Sequence, residues 1–473
     1  MSSISINDVI ALRNDVLDKN AALRNVASNP NSVSVSGAAR GAAFDAAMNT
    51  ALGKADSPNS VSGVRALPSY CLHGAEKDRR RESGPTASSE QNRGRGDQIP
   101  GQGAFTIMDA MRCVLAVVVA FAHAWYLLIE DYRGQASIAA SAGYFLAGYA
   151  HASVILFFVL SGFWIARSVD GRVGDWHWSS YLIDRLARLL VVLLPALAIG
   201  GALDAIGVYV LGSSTHLGTT DTYVLRKDVT GALDWPVLLG NILFLQGIVV
   251  APFGTNGPLW SLAYEFWFYI WFPAIVISWR LRRLSIFLVF IGLAWISPFM
   301  VIGFGCWLCG AALHRLTKTH LSDFRRVPIG RIWLVVAGGI LITTLVVVRI
   351  VGLGGLELVL AGAFTLFLYI LLRKNPPSPR WLRSFASYGA KASFSLYALH
   401  FPIMAFVAAL LLDSERLPPA ADNIALVGFT LALAVVTCGL FAFLTERHTA
   451  RIRSFFYAKL LSVQKAQDRR SVS

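Results

Sequence analysis

IMDAMRCVLAVVVAFAHAWYLLI, residues 107–129, decides the fold. Its length matches the roughly 20 apolar residues that a helix needs to cross a bilayer. Among the ionisable residues inside it, Arg112 and His123 nevertheless stand out. Such groups at membrane depth cost several kcal/mol unless paired or wetted, which makes each a functional candidate. They are eleven residues apart. At ~100° and ~1.5 Å per residue, they share one helix face and lie about 16 Å apart along the axis. The plainer readings are a snorkelling anchor for Arg112 and a packing role for His123.

From this run outward, apolar stretches succeed one another at 107–129, 150–169, 186–211, 258–278, 284–299, 300–316, 333–351, 356–372, 395–412 and 424–445. A shorter run, 237–250, follows Trp235-Pro236 and reads as a re-entrant or interfacial piece. The expected fold is all-α, a polytopic membrane protein of about ten transmembrane helices. Composition agrees: of 473 residues 55% are hydrophobic and 15% charged, against about 25% charged in soluble domains. The mean hydropathy is +0.55.

The net charge of +14 would suggest nucleic acid in a soluble protein. Here the bases sort by loop. Alternate loops carry Arg172 and Arg185; Arg280, Arg282 and Arg283; Arg315, Lys318, Arg325, Arg326 and Arg331; then Arg373, Lys374, Arg380, Arg383 and Lys391. The intervening loops hold few. The positive-inside rule places both termini in the cytoplasm with an even number of spans. Residues 1–104, rich in Ser, Ala, Asn, Gly and Arg, read as a disordered basic cytoplasmic head; Met108 would also serve as a start. Its lack of interleaved aromatics argues against a nucleic-acid partner. Residues 105–447 form the expected membrane domain, and 448–473 a basic cytoplasmic tail. Cys306-x-x-Cys309 has metal-ligand spacing but no second ligand pair near it, so no metal site is expected.

The remaining intramembrane polar groups sort by depth. Arg185 and Arg188, at i and i+3, share a face at the cytoplasmic end of the third span, and two guanidiniums there make a phosphate clamp. His400 is placed one to two turns in from the same side, nearer Arg112 than His123. Glu265, two turns into a span entering from outside, is placed level with His123. If their faces meet, the carboxylate fixes the imidazole tautomer for base catalysis; if not, they are two unrelated polar groups. Ser161-Gly162 lies mid-span, permitting close helix approach or a hydroxyl contact to a ligand.

These motifs together resemble the integral-membrane acyltransferase family 3, of the O-antigen and exopolysaccharide O-acetylase type. The resemblance covers about 105–447. Arg112 with His123 is similar to its Arg-x10-His first helix. Phe157-Phe158-Val159-Leu160-Ser161-Gly162-Phe163 is similar to its second helix, and Arg185-Leu186-Ala187-Arg188 to its Arg-x-x-Arg helix. Trp260-Ser261-Leu262 with Glu265, Tyr269 and Pro273, and Tyr397-x-x-His400-x-Pro402, complete the set. Met108, Ala110 and Met111 depart from the common Leu-Asp-Gly-Leu-Arg opening, and Ala-Phe-Ala precedes His123 in place of Val-x-x-Phe.

The resemblance implies transfer of an acyl group, usually acetyl, from cytosolic acyl-CoA as co-substrate to a hydroxyl of a saccharide or lipid-linked saccharide, in a bacterial inner (plasma) membrane. No permanently bound cofactor is implied. Joined to the residue reading, Arg112, Arg185 and Arg188 hold the CoA phosphates and His400 lines the donor entrance. His123 is the general base, oriented by Glu265, and Ser161 donates to the developing oxyanion. An acyl-histidine route is the rival mechanism. A transporter or flippase for an anionic or saccharide substrate is the alternative function, although no internal repeat of the kind such folds carry is visible.

Overall fold

The 107–129 run folds as the body of a 27-residue helix, α1 (Gln102–Leu128). The structure, a computed structural model, describes residues 102–134, 137–220, 222–225, 227–281, 297–319 and 330–472. The basic head as far as residue 101, most of the 284–299 run, and the loop bases Arg282, Arg283, Arg325 and Arg326 lie outside the described residues, as does the side chain of Arg280.

Every regular element among the described residues is helical. After α1 come α2 (Ile138–Ala147), α3 (Ala150–Asp170) and α4 (Trp178–Ala205), the last running on through a π turn at Ile206–Val210. Then follow short α5 (Trp235–Ile242), α6 (Trp260–Leu281), α7 (Pro298–Thr319) and α8 (Arg331–Val351). The chain ends with α9 (Glu357–Lys374), α10 (Arg380–Leu411), α11 (Ala421–Thr445) and α12 (Thr449–Val472). Eight helices among the described residues are long and apolar enough to cross a membrane, α2 and α3 counting as one and α11 with the start of α12 as another. The chain is an all-α polytopic membrane protein. Its outer surface fits: α8 exposes Ile332, Val335, Ile342 and Ile350, the last at 76%, a face suited to lipid and not to water.

α1 is the central post, packed between α3, α10 and α11. α3 in turn packs against α7 and α9. The α3–α7 crossing is set by two glycines. A Cβ on Gly162 would meet the Trp307 carbonyl oxygen at 1.9 Å, and one on Gly310 the Val159 carbonyl oxygen at 1.9 Å. Only hydrogen at these positions lets the backbones come so close. Phe158, Phe268, Phe304 and Trp307 fill the core beside this seam, with Phe158 edge-on to Phe268 at 5.4 Å.

Bases gather at the end of the bundle where α1 begins. Arg172, Arg383, Lys391, Arg447 and Arg453 line one cleft there. At the opposite end the described arginines are tied to local partners. Arg416 pairs with Asp131 at 3.0 Å and Arg133 with Glu130 at 3.2 Å; Arg349 donates to the carbonyl oxygen of Tyr144 at 3.0 Å.

Two departures from the expected spans matter for the site. First, α10 begins at Arg380, not near 395. The polar stretch with Arg383 and Lys391 is its first half, so His400 stands twenty residues inside the helix, about 30 Å from its start at ~1.5 Å per residue. Second, the 237–250 run turns back at Phe244 (φ 58°) and Gly247 (φ 73°) into a short 3-10 turn, Gly257–Leu259. That turn is fastened to α10: the Tyr397 hydroxyl donates to the Pro258 carbonyl at 2.8 Å, and Asn256 Nδ2 donates to the Ala398 carbonyl at 2.8 Å. Consequently α6 starts level with the middle of α10.

Candidate active site

Five helices converge on a cavity of about 330 Å³. α1 contributes Arg112, α3 Ser161, α4 Arg185 and Arg188, α6 Glu265 and α10 Tyr397. Arg112 sits in the attractive field of Glu265 and Asp109 and the repulsive field of Arg188. Arg185 is held from behind. Its Nη2 donates to Ser168 Oγ at 2.9 Å and its guanidinium lies over the Tyr181 ring at 5.4 Å, while Nε is buried with no hydrogen bond in the structure. The paired placement expected of Arg185 and Arg188 is present: both line the inner cavity and a wider cleft of about 1230 Å³ at the basic end. Arg112 and Asp109 line both spaces as well, so these four residues form the neck between them.

Glu265 belongs to this cavity. Ser161 Oγ donates to its Oε1 at 2.7 Å, the Tyr269 hydroxyl donates to the same oxygen, and Trp307 Nε1 donates to Ser161 Oγ at 3.3 Å. The expectation that Glu265 orients His123 is therefore corrected: the carboxylate is engaged with Ser161 and Tyr269 near Arg112. The cause is the re-entrant turn before α6, which lowers the start of that helix and carries Glu265 toward the arginines. In this arrangement the Ser161 proton is directed to Glu265.

His123 is oriented by His400. The two rings stack with centroids 5.1 Å apart, and His123 Nδ1 lies 2.9 Å from His400 Nε2. His400 Nδ1 faces the carbonyl oxygens of Leu396 at 2.8 Å and Tyr397 at 3.1 Å. Carbonyls only accept, so Nδ1 carries the proton. In the neutral ring Nε2 then offers a lone pair. His123 Nδ1 must donate to it, which leaves the lone pair of His123 on Nε2. The tautomers are assigned by this chain of partners. Placing His400 at the donor entrance is thus corrected; the polar half-turns at the start of α10 put it level with His123. Phe401 closes edge-on against His123 at 5.1 Å. His123 is not among the residues lining the inner cavity, but Tyr397 is, and the Tyr397 and His400 rings are 6.1 Å apart.

Three contributors have no role assigned from the sequence. Tyr269 and Tyr397 stand there only as motif residues, although Tyr269 follows Glu265 at i+4, a same-face spacing. Trp307, in an unremarkable apolar run, gave no signal.

The model of an acyltransferase domain family matches residues 105–444. The chain belongs to this acyltransferase family. The match covers α1 through almost all of α11, and so every residue of the cavity and of the histidine pair. Neither the curated proteins nor the solved structures gave a match. The protein is therefore a membrane acyltransferase by family, with its candidate site built from the helices that the match spans.

Proposed function

We propose that the protein moves an acyl group, acetyl in the simplest case, from acyl-CoA to a hydroxyl of a saccharide-type acceptor, with His123 as general base. The observation that carries this reading is the tautomer chain Leu396 carbonyl–His400–His123, which leaves a basic Nε2 on His123. A base needs its lone pair on the nitrogen that faces the proton it removes. In the reaction His123 Nε2 takes the acceptor hydroxyl proton while that oxygen attacks the thioester carbonyl. The carbon–sulfur bond breaks, and the imidazolium returns the proton to the leaving thiolate. Arg112, Arg185 and Arg188 at the neck supply the charge for the donor's pyrophosphate, and the acyl end reaches the wall at Tyr397, beside which His400 sits.

Under this reading the basic end, where α1 begins, faces the cytosol, as the positive-inside rule requires, and the membrane is a bacterial plasma membrane. The test is incubation of membranes with labelled acetyl-CoA and envelope glycans. Label should pass to the acceptor as an ester with the intact chain and fail to do so with His123→Ala inserted at equal level. Uptake of labelled saccharide without modification would instead make the protein a transporter.

A further inference from the structure

The neck arginines do not exhaust the charge at the basic end. The 1230 Å³ cleft outside the neck is lined by eight cationic side chains and three carboxylates. Several are already committed. Arg172 is paired with Asp184 at 2.5 Å, and Asp184 also accepts from the Tyr457 hydroxyl at 3.1 Å, which fastens α12 to α4. Glu446 accepts from Ser395 at 2.9 Å and lies in the field of Lys391, Arg112 and Arg188. Arg447 bonds to His448 at 3.2 Å and lies over the Phe443 ring at 5.3 Å. Three further bases, Arg383 and Lys391 on α10 and Arg453 on α12, are solvent-exposed and line the cleft but not the inner cavity.

The cleft is larger than one phosphate needs. Its volume exceeds the 300–1,000 Å³ of ordinary small-molecule pockets. Apart from Arg172 and Arg447, its cations form two groups, three guanidiniums at the neck and three bases at the rim. A ligand that reaches from the inner cavity into the cleft meets both, and satisfies them with an anionic group for each. Resting on the acyl-CoA reading above, we infer that Arg383, Lys391 and Arg453 form a second phosphate site, which holds the ribose 3′-phosphate while the neck arginines hold the pyrophosphate. The rim thereby makes the enzyme selective for the 3′-phosphorylated nucleotide. Since Arg453 lies on α12, beyond the matched family segment, the C-terminal helix becomes part of the donor site.

The experiment is equilibrium binding of CoA and of 3′-dephospho-CoA to the full chain in detergent at low salt. Charge-assisted hydrogen bonds to a phosphate predict at least about tenfold tighter binding of CoA. Replacing the rim together, Arg383→Ala, Lys391→Ala and Arg453→Ala, should bring the ratio to near one by weakening CoA only. Equal affinity for the two nucleotides in the unchanged protein overturns the rim site and leaves the acyl-CoA reading standing. Binding of neither nucleotide overturns both. A ratio preserved in the triple variant also overturns the rim site. Should the triple variant fail to fold, Arg453→Ala alone, together with the ratio in the unchanged protein, decides.

Discussion

Replacing His400 by asparagine and, separately, by glutamine divides its two hydrogen bonds. Asparagine carries an amide to about the position of Nδ1 and keeps a donor for the Leu396 carbonyl, which accepts at 2.8 Å. It leaves nothing at the position of Nε2. Glutamine reaches one bond further and presents its amide oxygen where His400 Nε2 now stands, 2.9 Å from His123 Nδ1. In the asparagine variant the His123 Nδ1 proton loses its acceptor in a site where His400 is 1% exposed. An unsatisfied buried donor costs about 1–3 kcal/mol, and the tautomer with its proton on Nε2 gains by that amount. The ratio of base-competent to incompetent tautomer then falls about 5- to 150-fold, and the transfer rate falls by up to that factor. The glutamine variant keeps the acceptor and should stay within about tenfold of the unchanged enzyme, the net worth of the lost Leu396 bond. The ceiling is His123→Ala, which removes a general base worth about 10²–10⁴. The assay is the initial rate of labelled acyl transfer at saturating donor, with CoA affinity measured beside it to show that the site is intact. If asparagine transfers as fast as the unchanged enzyme, or glutamine is the slower of the two, then His400 does not orient His123 and the tautomer argument fails.

Arg185→Ala together with Arg188→Ala should raise the donor KM by at least about tenfold and flatten its dependence on salt, since charge-assisted contacts are lost; an unchanged KM removes the neck from the donor site. Tyr269→Phe deletes one of the two hydroxyl donors to Glu265 and should slow transfer about tenfold with CoA affinity unaltered; a change in affinity alone would make Glu265 a donor-binding group. Gly162→Ala places a methyl against the Trp307 carbonyl, and overpacking of about 1–3 kcal/mol should lower the melting temperature in detergent. Gly339→Ala, which meets nothing within 4 Å, should leave it unchanged, and equal melting of the two variants would refute the seam.

How much could be read from the sequence follows from where each residue's position is decided. Arg112, His123, Arg185 and Arg188 sit on helices whose own apolar runs fix their depth, and their placement needed only the 3.6-residue repeat. Glu265 and His400 stand away from the depth that their apolar runs suggest for one shared reason: the ends of those runs are not the ends of the helices. The first half of α10, with Arg383, Ser387 and Lys391, is polar enough to read as a loop, yet it is helical and walls the cleft. The start of α6 is set by hydrogen bonds that tie Pro258 to Tyr397 and Asn256 to Ala398, partners on α10 distant in sequence. Helix ends fixed by tertiary contacts leave no local mark.

The same reasoning explains why the site needs the α3–α7 seam. Without Ser161 and Tyr269, Glu265 would keep the field of Arg112 but lose both of its hydroxyl donors. Ser161 can serve because Trp307 Nε1 supplies a proton to its oxygen at 3.3 Å, which polarises the hydroxyl toward Glu265. That indole reaches Ser161 only if α3 and α7 touch at the backbone, as Gly162 and Gly310 allow. The small residue beside Ser161 thus acts on the carboxylate through distance alone. Any side chain at position 162 pushes Trp307 away, removes the third hydrogen bond of the chain, and weakens the hold on Glu265 before it changes a single charge in the cavity.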